Sequence, residues 1–309
     1  MSITIIKPGI SSTIQHFGHW GEQQFGVSIG GVMDDFSACI ANIICNNKEN
    51  APVVEMTLHG TEILFNKDAF VALTGSGAIA TINDVEIPFY KLLHVPACAI
   101  LKMKPSALGC RSYLAIAGEC NNQELGIPLK TGDLIEFDET PTHFKGIHTD
   151  EYKIGISQWQ IHLNENEMLD KTIDCIEGPE FDWFEIKTQE EFFYTSFTLS
   201  TQSNRMGYRL NEKISGLKEK RELISTAVTK GVVQITHEGN PIILMADAQT
   251  TGGYPRIARI PPAEIAKLAQ CRPGDKISFK KITEERSLLK TDDQLNTLKK
   301  IKSTIKMML

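Results

Sequence analysis

The sequence lacks an excess of positive charge and any long hydrophobic run. Its 32 lysine and arginine residues are outnumbered by 38 aspartate and glutamate residues, which gives a formal net charge of -6 at pH 7. Proteins that bind nucleic acids carry a basic surface, so this balance argues against a nucleic-acid partner. The apolar run at the N-terminus is too short for a signal peptide, and no apolar segment is long enough to span a bilayer. We therefore expect a cytoplasmic protein without a membrane partner.

Paired cysteines and clusters of metal ligands are also missing. None of the seven cysteines forms a C-x-x-C pair, and several have apolar neighbours, which indicates buried thiols rather than a disulfide framework. A nucleophilic role for one of them has no support in the sequence. His16 and His19 lie close together, yet no third ligand accompanies them, so we expect no metal site.

Sequence motifs for binding phosphate, biotin and dinucleotides are absent as well. There is no G-x-x-x-x-G-K-[ST] loop and no evident carboxylate cluster for magnesium, so the chain is poorly equipped to transfer phosphoryl groups by itself. An A-M-K-M biotin-attachment motif does not occur. Residues 74–80 (TGSGAIA) contain the letters G-x-G-x-x-A after a predicted strand. A second strand pattern follows instead of a helix, so we expect no dinucleotide-binding site there.

What the chain does contain is a series of short strand patterns separated by glycine and proline turns. Because few helical patterns lie among them, this order predicts a mainly β protein. The turn-and-strand pattern of residues 132–137 (GDLIEF) returns at residues 274–279 (GDKISF), which suggests two related β domains. The predicted boundaries are an N-terminal β domain at 1–145, a C-terminal β domain at 146–285 and a C-terminal helix at 286–309.

Three helices are predicted from residues that are typical of helix starts. Asp34 is a favourable N-cap for a helix that runs to about Asn46, and the amide of Asn42 is expected to tie this helix to a neighbouring loop. Residues 261–262 (PP) begin a second, short helix. Residues 291–294 (TDDQ) fit a capping box and predict the start of the tail helix. Its apolar stripe, which should pack on the body of the protein or on a partner, consists of Leu295, Leu298, Ile301, Ile305 and Met308.

A polar stretch in the C-terminal third carries the strongest functional signal. Residues 241–246 (PIILMA) form an apolar run typical of a buried strand, and residues 247–255 (DAQTTGGYP) follow directly. Carboxylate, amide and hydroxyl side chains that lead to a double glycine allow backbone groups to approach a ligand closely. A polar hairpin corner, with turns closed by the threonine hydroxyls, is the structural alternative.

Arg205 and Arg209 are the best candidates for binding an anion, because a guanidinium group presents paired donors in a fixed geometry. In the alternative interpretation, these arginines form ion pairs with nearby carboxylates such as Glu212 or Glu222. The sequence favours neither interpretation over the other.

Four segments together resemble one bacterial protein family. They are residues 30–34 (GGVMD) with Ala41 and Asn42, residues 110–118 (CRSYLAIAG), residues 203–210 (SNRMGYRL) and residues 247–255 (DAQTTGGYP). In this order they are similar to a family that contains the C subunit of 5-oxoprolinase, kinase-inhibitor-associated proteins, the second subunit of allophanate hydrolase and the carboxyltransferase domain of urea carboxylase. The resemblance implies two cyclophilin-like β-barrel domains with a few short helices and a C-terminal helix.

The resemblance also implies an enzyme that works as part of a complex. In a 5-oxoprolinase, the B and C subunits would activate a cyclic amide with ATP, and the A subunit would open it to glutamate. This chain would then be the C subunit, its partners would be homologues of the A and B subunits, and ATP would be used at the level of the complex. The implied site residues are Arg205, Gln249 and Thr250 for catalysis, and Met33, Asp34, Arg111, Ser203, Arg209, Thr251, Gly252, Gly253 and Tyr254 for binding the small amide.

Two alternatives stay open at this point. A biotin-dependent carboxyltransferase or allophanate hydrolase-type subunit would act on urea-like amides, with biotin carried by a separate protein. A divergent regulatory subunit without catalytic activity is favoured by departures from the family pattern. His16 and His19 replace an acid and an arginine, and the serine- and arginine-bearing loop expected after Gly126 is missing. The retained Arg205 and residues 247–255 oppose a purely regulatory role.

Overall fold

Two interleaved groups of residues make up the computed structural model, which describes residues 1–121, 125–138, 144, 147, 153–163, 170–214, 217 and 223–308. The first unit contains Met1–Phe17, Asp34–Glu165 and Asn296–Leu309, and the second contains Gly18–Met33 and Asn166–Leu295. Residues 18–33 therefore belong with the second unit although the sequence on both sides of them belongs with the first. The predicted domain boundaries stay predictions, since a grouping by contact does not show which parts fold independently.

The first unit is built from two sheets of six strands each. Its strands are β1 (Ser2–Pro8), β2 (Ser11–Gln15), β3 (Val53–Thr57), β4 (Thr61–Phe65), β5 (Ala69–Gly75), β6 (Ala78–Ile82), β7 (Val85–Glu86), β8 (Leu92–Val95), β9 (Ile100–Pro105), β10 (Arg111–Ile116), β11 (Leu134–Glu136) and β12 (Gly155–Ile156). One sheet has the order β11-β1-β4-β9-β6-β7, and the other has the order β12-β8-β5-β10-β3-β2. Alternating apolar residues fill a core within this unit, as in β1, where Ile3 and Ile5 are fully buried.

Helix α1 (Asp35–Ile44) lies in the first unit and begins where the sequence predicts. The Asp34 carboxylate accepts hydrogen bonds from the backbone N–H of Ser37 at 2.9 Å and from its hydroxyl at 2.6 Å, as an N-cap residue does. The predicted role of Asn42 is also confirmed. Its buried amide donates to the carbonyl of Ala51 at 2.8 Å and so ties the helix to the loop that follows it.

The second unit contains a seven-stranded sheet and a two-stranded ribbon. Its strands are β13 (Thr172–Glu177), β14 (Phe197–Thr198), β15 (Gly207–Arg209), β16 (Thr226–Ala227), β17 (Val232–Ile235), β18 (Pro241–Leu244), β19 (Thr251–Gly252), β20 (Arg256–Arg259) and β21 (Lys276–Lys281). The large sheet has the order β14-β21-β13-β20-β17-β18-β15, and β16 pairs with β19 in the ribbon. Strands β13 and β21 run parallel to each other, whereas the other neighbouring strands of this sheet are antiparallel.

Helices cover part of the large sheet in the second unit. They are α2 (Ile186–Tyr194) and α3 (Pro262–Ala269). The unit also contains short 3-10 turns at Gln23–Phe25 and Phe181–Trp183. Helix α3 begins at Pro262, which confirms the helix start predicted from the proline pair. On the buried side of α2, the ring of Phe192 stacks on Phe279 of β21 with centroids 4.5 Å apart. This aromatic contact anchors α2 to the core of the unit.

The tail helix, α4 (Glu284–Met308), begins earlier than the capping-box pattern predicts. The hydroxyl of Thr283 accepts a hydrogen bond from the backbone N–H of Arg286 at 3.2 Å, so Thr283 takes the capping role. The predicted start at Thr291 is wrong, because Thr291 lies inside the helix and its hydroxyl donates to the carbonyl of Ser287 at 3.1 Å. The predicted apolar stripe is buried only in part. Ile305 is buried and Leu298 and Ile301 pack beside it, whereas Leu295 and Met308 are exposed.

The expectation of a mainly β chain with a few helices and a C-terminal helix is confirmed by these elements. Residues 74–80 contain the end of β5, a turn and the start of β6, so the second strand predicted after the glycine motif is present. Within the described residues, no helix is long and apolar enough to cross a membrane.

Candidate functional site

The polar stretch at residues 247–255 forms part of a short ribbon in the second unit. The preceding strand β18 carries Ile243 into the core, as predicted from its apolar run. After a turn, Thr251 and Gly252 form β19 and pair with Ala227 and Thr226 of β16. The predicted strand is therefore present, and the polar residues that follow it are held in place by a second, two-stranded ladder.

A cleft of about 300 Å³ lies beside this ribbon within the second unit. Its lining residues are Asn204, Met206, Gly207, Arg209, Val228, Gln234, Ile242, Leu244, Ala248, Gln249, Thr251, Gly252, Gly253 and Tyr254. Six of the predicted site residues are among them, namely Arg209, Gln249, Thr251, Gly252, Gly253 and Tyr254. Because Arg209 supplies the only formal charge among these described residues, the cleft combines one cation with amide, hydroxyl and apolar groups.

Thr250, a predicted catalytic residue, is not among the residues that line the cleft. Its backbone carbonyl accepts a hydrogen bond from the N–H of Val228 at 3.0 Å, which extends the pairing between the two strands of the ribbon. The structure therefore places Thr250 in the support of the loop, between two residues that do line the cleft.

The floor of the cleft is a row of side chains that crosses three strands. Ile242 of β18 pairs in register with Arg209 of β15 on one side and with Gln234 of β17 on the other. Side chains of directly paired residues point to the same face of a sheet. Since Ile243 is buried in the core and Ile242 lines the cleft, this common face is the one turned to the cleft. The floor thus presents a cation, a hydrocarbon group and an amide in one row.

The backbone of Arg209 is fixed by the Ser203 hydroxyl, and its guanidinium group is not used in these contacts. The hydroxyl of Ser203 accepts from the Arg209 backbone N–H at 3.0 Å and donates to its carbonyl at 3.3 Å. Ser203 therefore supports the strand that carries Arg209 and is not among the residues lining the cleft. In the part of the chain that the structure describes, the exposed Arg209 side chain forms no ion pair with a carboxylate.

Arg205 has a different environment from Arg209. Its Nε donates to Oδ2 of Asp247 at 2.7 Å and its Nη2 donates to Oδ1 of the same residue at 3.0 Å. Glu212, one of the carboxylates considered from the sequence, accepts from the backbone N–H and the hydroxyl of Thr198 at 2.5 and 2.8 Å. Glu222, the other one, lies outside the described residues. The carboxylate bound by Arg205 therefore belongs to the polar stretch itself.

The glycine pair at residues 30–31 is bound to the same region of the second unit. The Gly30 N–H donates to the carbonyl of Ala246 at 3.0 Å, and Nη2 of Arg205 donates to the carbonyl of Gly31 at 2.5 Å. Both glycines have positive φ angles, of 65° and 86°, which favour glycine over residues with a side chain. The chain then carries Met33, a predicted binding residue, into the hydrophobic core of this unit.

The two remaining predicted binding residues, Asp34 and Arg111, lie in a buried polar network of the first unit. The Asp34 N–H donates to the Tyr113 hydroxyl at 2.9 Å, and this hydroxyl donates to Glu55 Oε2 at 3.0 Å. Nε of Arg111 lies 3.9 Å from Oε1 of Glu55. Burial, reinforced by the negative charges of Glu55 and Asp34, raises the pKa of Tyr113 well above its usual range. Tyr113 therefore stays a neutral hydrogen-bonding phenol.

Gln234 lines the cleft but was missed by the sequence analysis. The sequence feature that could have indicated it is a single amide residue in an otherwise apolar strand. In the structure this strand is Val232–Ile235, and all of its residues are buried. Nε2 of Gln234 donates to the carbonyl of Tyr254 at 3.1 Å, and a Cβ atom added at Gly252 would lie 2.6 Å from this nitrogen. A side chain at position 252 would therefore have to displace the buried Gln234 amide. This contact explains one of the two glycines in the polar stretch.

Cysteine and metal chemistry find no support in the described residues. No disulfide forms among the seven cysteines, and five of them are buried, as predicted. Burial raises the pKa of the Cys39 thiol to about 12, which disfavours the reactive thiolate. Among the residues described by the structure, no group of three or more histidine, cysteine, aspartate or glutamate side chains could hold a metal ion.

The fold and the cleft define a mainly β protein that presents a polar, singly charged pocket beside a glycine-containing ribbon. The sequence matches the carboxyltransferase domain family, subdomain A and B, over residues 25–281. The chain belongs to this family, which confirms the resemblance carried by the four sequence segments.

The chain is similar to the C subunits of 5-oxoprolinases and to urea amidolyases. The chain is 36% identical over 302 residues to the C subunit of 5-oxoprolinase from Escherichia coli (strain K12), covering 94% of this chain and 95% of the relative. It is 33% identical over 297 residues to the corresponding 5-oxoprolinase protein of Haemophilus influenzae, covering 91% of each chain. Its identity to the urea amidolyase of Lachancea kluyveri is 28% over 303 residues, which covers 89% of this chain but 16% of that protein.

A solved structure supports the fold. The crystal structure of the K. lactis urea amidolyase matches with a TM-score of 0.84 and 24% identity, covering 97% of this chain and 20% of that chain. At this level of identity, the likeness concerns the fold alone.

Proposed function

We propose that this chain is the substrate-binding subunit of an ATP-dependent complex of the 5-oxoprolinase type. The observation that carries the proposal is the 36% identity to the C subunit of the E. coli 5-oxoprolinase, which extends over nearly the whole length of both chains. The cleft supports it, because one arginine next to amide and hydroxyl groups suits a small amide that carries a carboxylate.

In this proposal, Arg209 binds the substrate carboxylate and residues 249–254 surround the amide group. The glycines of this segment remove side chains that would otherwise cover the loop backbone, so Gln249, Thr251 and the backbone can contact the substrate together. Holding a small molecule by both ends aligns its carbonyl carbon for attack and lowers the entropy lost in the reaction.

Arg205 acts as a positioning residue in this proposal. Its guanidinium group binds the carboxylate of Asp247, immediately before the polar residues, and the carbonyl of Gly31. These contacts fix the start of the loop that carries Gln249 and Thr250. Removing Arg205 would therefore disturb the site by releasing Asp247 and Gly31, and not by removing a contact to the substrate.

ATP belongs to the complex rather than to this cleft. A triphosphate needs several cationic or backbone donors, and Arg209 is the one cation among the described residues that line the cleft, so these residues do not fit this group. Partner proteins related to the A and B subunits of 5-oxoprolinase would bind the nucleotide and complete the ring opening. In the overall reaction, water adds across the lactam C–N bond to give a carboxylate and an amino group, while ATP is hydrolysed to ADP and phosphate.

The test is reconstitution with homologues of the A and B subunits from the same organism. A tag on this chain is used for purification, and phosphate and glutamate are measured with 5-oxoproline and ATP. We expect turnover of the three-component mixture, none by this chain alone, and a strong loss with Arg209→Ala. Robust turnover by the isolated chain would refute the division of labour, and an inactive mixture would refute the proposed function.

A biotin-dependent carboxyltransferase is the second candidate, favoured by the 28% identity to urea amidolyase over 89% of this chain. Biotin would be carried by a separate protein, and its ureido ring offers N–H and carbonyl groups that the amides of Gln234 and Gln249 could bind. Transfer of a labelled carboxyl group from a carboxylated biotin carrier to a urea-like amide would support this candidate. A regulatory subunit would bind its partners and show neither activity.

A further inference from the structure

Gln234 is a buried amide in the floor of a polar cleft. It is 5% exposed and lies in β17 between Val233 and Ile235, both of which belong to the hydrophobic core. An amide in such a strand loses solvation on folding and requires hydrogen-bond partners. One partner is the carbonyl of Tyr254, and Gln234 is also among the residues that line the cleft.

The Tyr254 carbonyl fixes the orientation of the Gln234 amide. A carbonyl oxygen can only accept a hydrogen bond, so it binds the NH₂ end of the amide, as the 3.1 Å contact from Nε2 shows. Gly252 lies beside both ends of this amide, because a Cβ built at that position would be 2.6 Å from Nε2 and 3.3 Å from Oε1. Because Nε2 donates to the Tyr254 carbonyl, Oε1 is the end of the Gln234 amide that can accept a hydrogen bond from another group.

This acceptor lies in the same row as the cation of the cleft. Gln234 and Arg209 pair with Ile242 from opposite sides, so two strand spacings separate their backbones, about 10 Å in total. Both side chains are long and share the cleft face of the sheet. A single small molecule lying over Ile242 can therefore contact both of them.

We propose that Gln234 is a specificity-determining residue whose Oε1 accepts the N–H of a secondary cyclic amide while Arg209 pairs with the carboxylate of the same molecule. The inference rests on the proposed function and adds the group by which the site recognises its substrate. An ester oxygen in place of the N–H would face the Gln234 oxygen without a proton between them. A lost hydrogen bond of this kind, with a buried acceptor left unpaired, weakens binding about tenfold or more.

The experiment compares 5-oxoproline with the lactone analogue in which oxygen replaces the ring N–H. Both ligands have the same ring size and carboxylate, and their affinities for this chain together with its partner proteins are measured by calorimetry. We expect the unaltered protein to bind the lactam at least about tenfold more tightly than the lactone. Gln234→Met keeps the length and burial of the side chain but should bind both ligands with equal, weak affinity.

Control variants separate the recognition of the amide from other effects. Gln202→Met makes the same chemical change at an exposed position outside the cleft and should keep the lactam preference. Arg209→Ala should weaken the binding of both ligands alike and leave the ratio of their dissociation constants unchanged. If Gln234→Met does not fold, Gln234→Asn retains an amide but withdraws it by one methylene, and the ratio should fall to about one in that variant.

Each result has a distinct meaning. Loss of the lactam preference in the Gln234 variants alone supports the inference. A preference that survives in them, or equal binding of both ligands by the unaltered protein, overturns the inference while leaving the proposed function intact. If the unaltered complex binds neither ligand, the proposed function itself is wrong and the inference is refuted with it.

Discussion

Arg205 and Asp247 are joined by two parallel hydrogen bonds between the guanidinium and carboxylate groups, at 2.7 and 3.0 Å. Their backbones are also linked, since the Asp247 N–H donates to the Arg205 carbonyl at 2.9 Å. The same guanidinium group binds the carbonyl of Gly31. Two segments distant in sequence, at Gly31 and Asp247, thus contact one arginine within the second unit, which identifies Arg205 as a support of the polar stretch.

Replacing Arg205 by Ala should lower stability and activity together. The change removes charge-assisted hydrogen bonds to Asp247 and Gly31 and leaves a partly buried carboxylate without its partner, with an expected loss of about 1.5–3 kcal/mol. Thermal denaturation followed by circular dichroism measures the effect. Arg209→Ala is the matched control, because it removes an arginine that makes no ion pair with the described carboxylates and should leave the melting temperature nearly unchanged.

A stable Arg205→Ala protein with reduced turnover would contradict this structural role and make Arg205 a candidate substrate ligand again. A double-mutant cycle with Asp247→Ala sharpens the test. If the two side chains stabilise each other, the double variant should be more stable than the sum of the single losses predicts.

Arg209→Ala should weaken the binding of carboxylated amides while the protein stays folded. Because Arg209 is the only formally charged residue among the described residues of the cleft, its loss should raise the dissociation constant for 5-oxoproline by about 10- to 100-fold. Arg209→Lys keeps the charge but loses the paired donors, so an intermediate affinity is expected. Titration calorimetry measures both variants. Unchanged affinity in Arg209→Ala would show that the carboxylate binds elsewhere.

Gly252→Ala should be more harmful than Gly253→Ala, because the buried Gln234 amide would have to move away from its hydrogen bond to Tyr254. A Cβ at position 252 would lie 2.6 Å from the buried Gln234 nitrogen, whereas at position 253 its nearest neighbour is the carbonyl of Leu223 at 3.3 Å. Overpacking at position 252 should lower the free energy of unfolding by about 1–3 kcal/mol. Urea denaturation compares the two variants. Adding Gln234→Ala to Gly252→Ala should recover part of the lost stability, and no recovery would show that this contact is not the cause.

The sequence predicted the elements of the site better than their arrangement. The apolar run before Asp247 predicted a strand, which is present. The predicted approach of a ligand to the double glycine stays a prediction, and in the structure Gly252 lies against the Gln234 side chain. Identical residue types at 205 and 209 gave no reason to separate their roles. Only strand pairing places Arg209 in the cleft floor and directs Arg205 to Asp247, because register between distant strands is not encoded in local spacing.

For Gln234 and the tail helix, too, the local sequence did not determine the arrangement that the structure shows. One amide in an apolar strand is visible in the sequence, but its contact with Gly252 depends on a tertiary approach between β17 and the ribbon. The sequence contains two possible N-caps for the tail helix: the capping-box pattern at residues 291–294, and Thr283, which lies directly before two acidic residues. The earlier cap prevails because the helix can extend through Thr291 without interruption.

Ile305→Ala should destabilise the protein through the end of the tail helix. Ile305 is 3% exposed and packs with Cys39 and Ile43 of helix α1 in the first unit. Removing a buried isoleucine side chain of this kind costs about 2–5 kcal/mol. Met307→Ala, at a position that is 85% exposed, is the control and should change stability by less than about 0.5 kcal/mol. Equal effects in urea denaturation would mean that the helix end is not packed as described.

The Glu180 and Arg256 pair predicts a loss of stability in acid. The Glu180 carboxylate accepts from Nε and Nη2 of Arg256 at 2.7 and 2.6 Å and from its backbone N–H at 3.1 Å. Burial alone would raise the pKa of Glu180, but these hydrogen bonds outweigh burial and hold the pKa below its ordinary value of 4.5. A carboxyl group whose pKa is lowered on folding stabilises the protein above its ordinary pKa, and this contribution disappears as the pH falls through the folded value.

Glu180→Gln isolates this contribution, because the amide keeps the shape of the side chain and removes its charge. The melting temperature of the unaltered protein should exceed that of the variant by a constant amount between about pH 7 and pH 5, and the difference should shrink as the pH falls towards about pH 3. Glu238→Gln makes the same change at an exposed glutamate outside this pair and should show no comparable pH-dependent difference. A gap between Glu180→Gln and the unaltered protein that stays constant down to about pH 3 would show that Arg256 does not lower the pKa of Glu180.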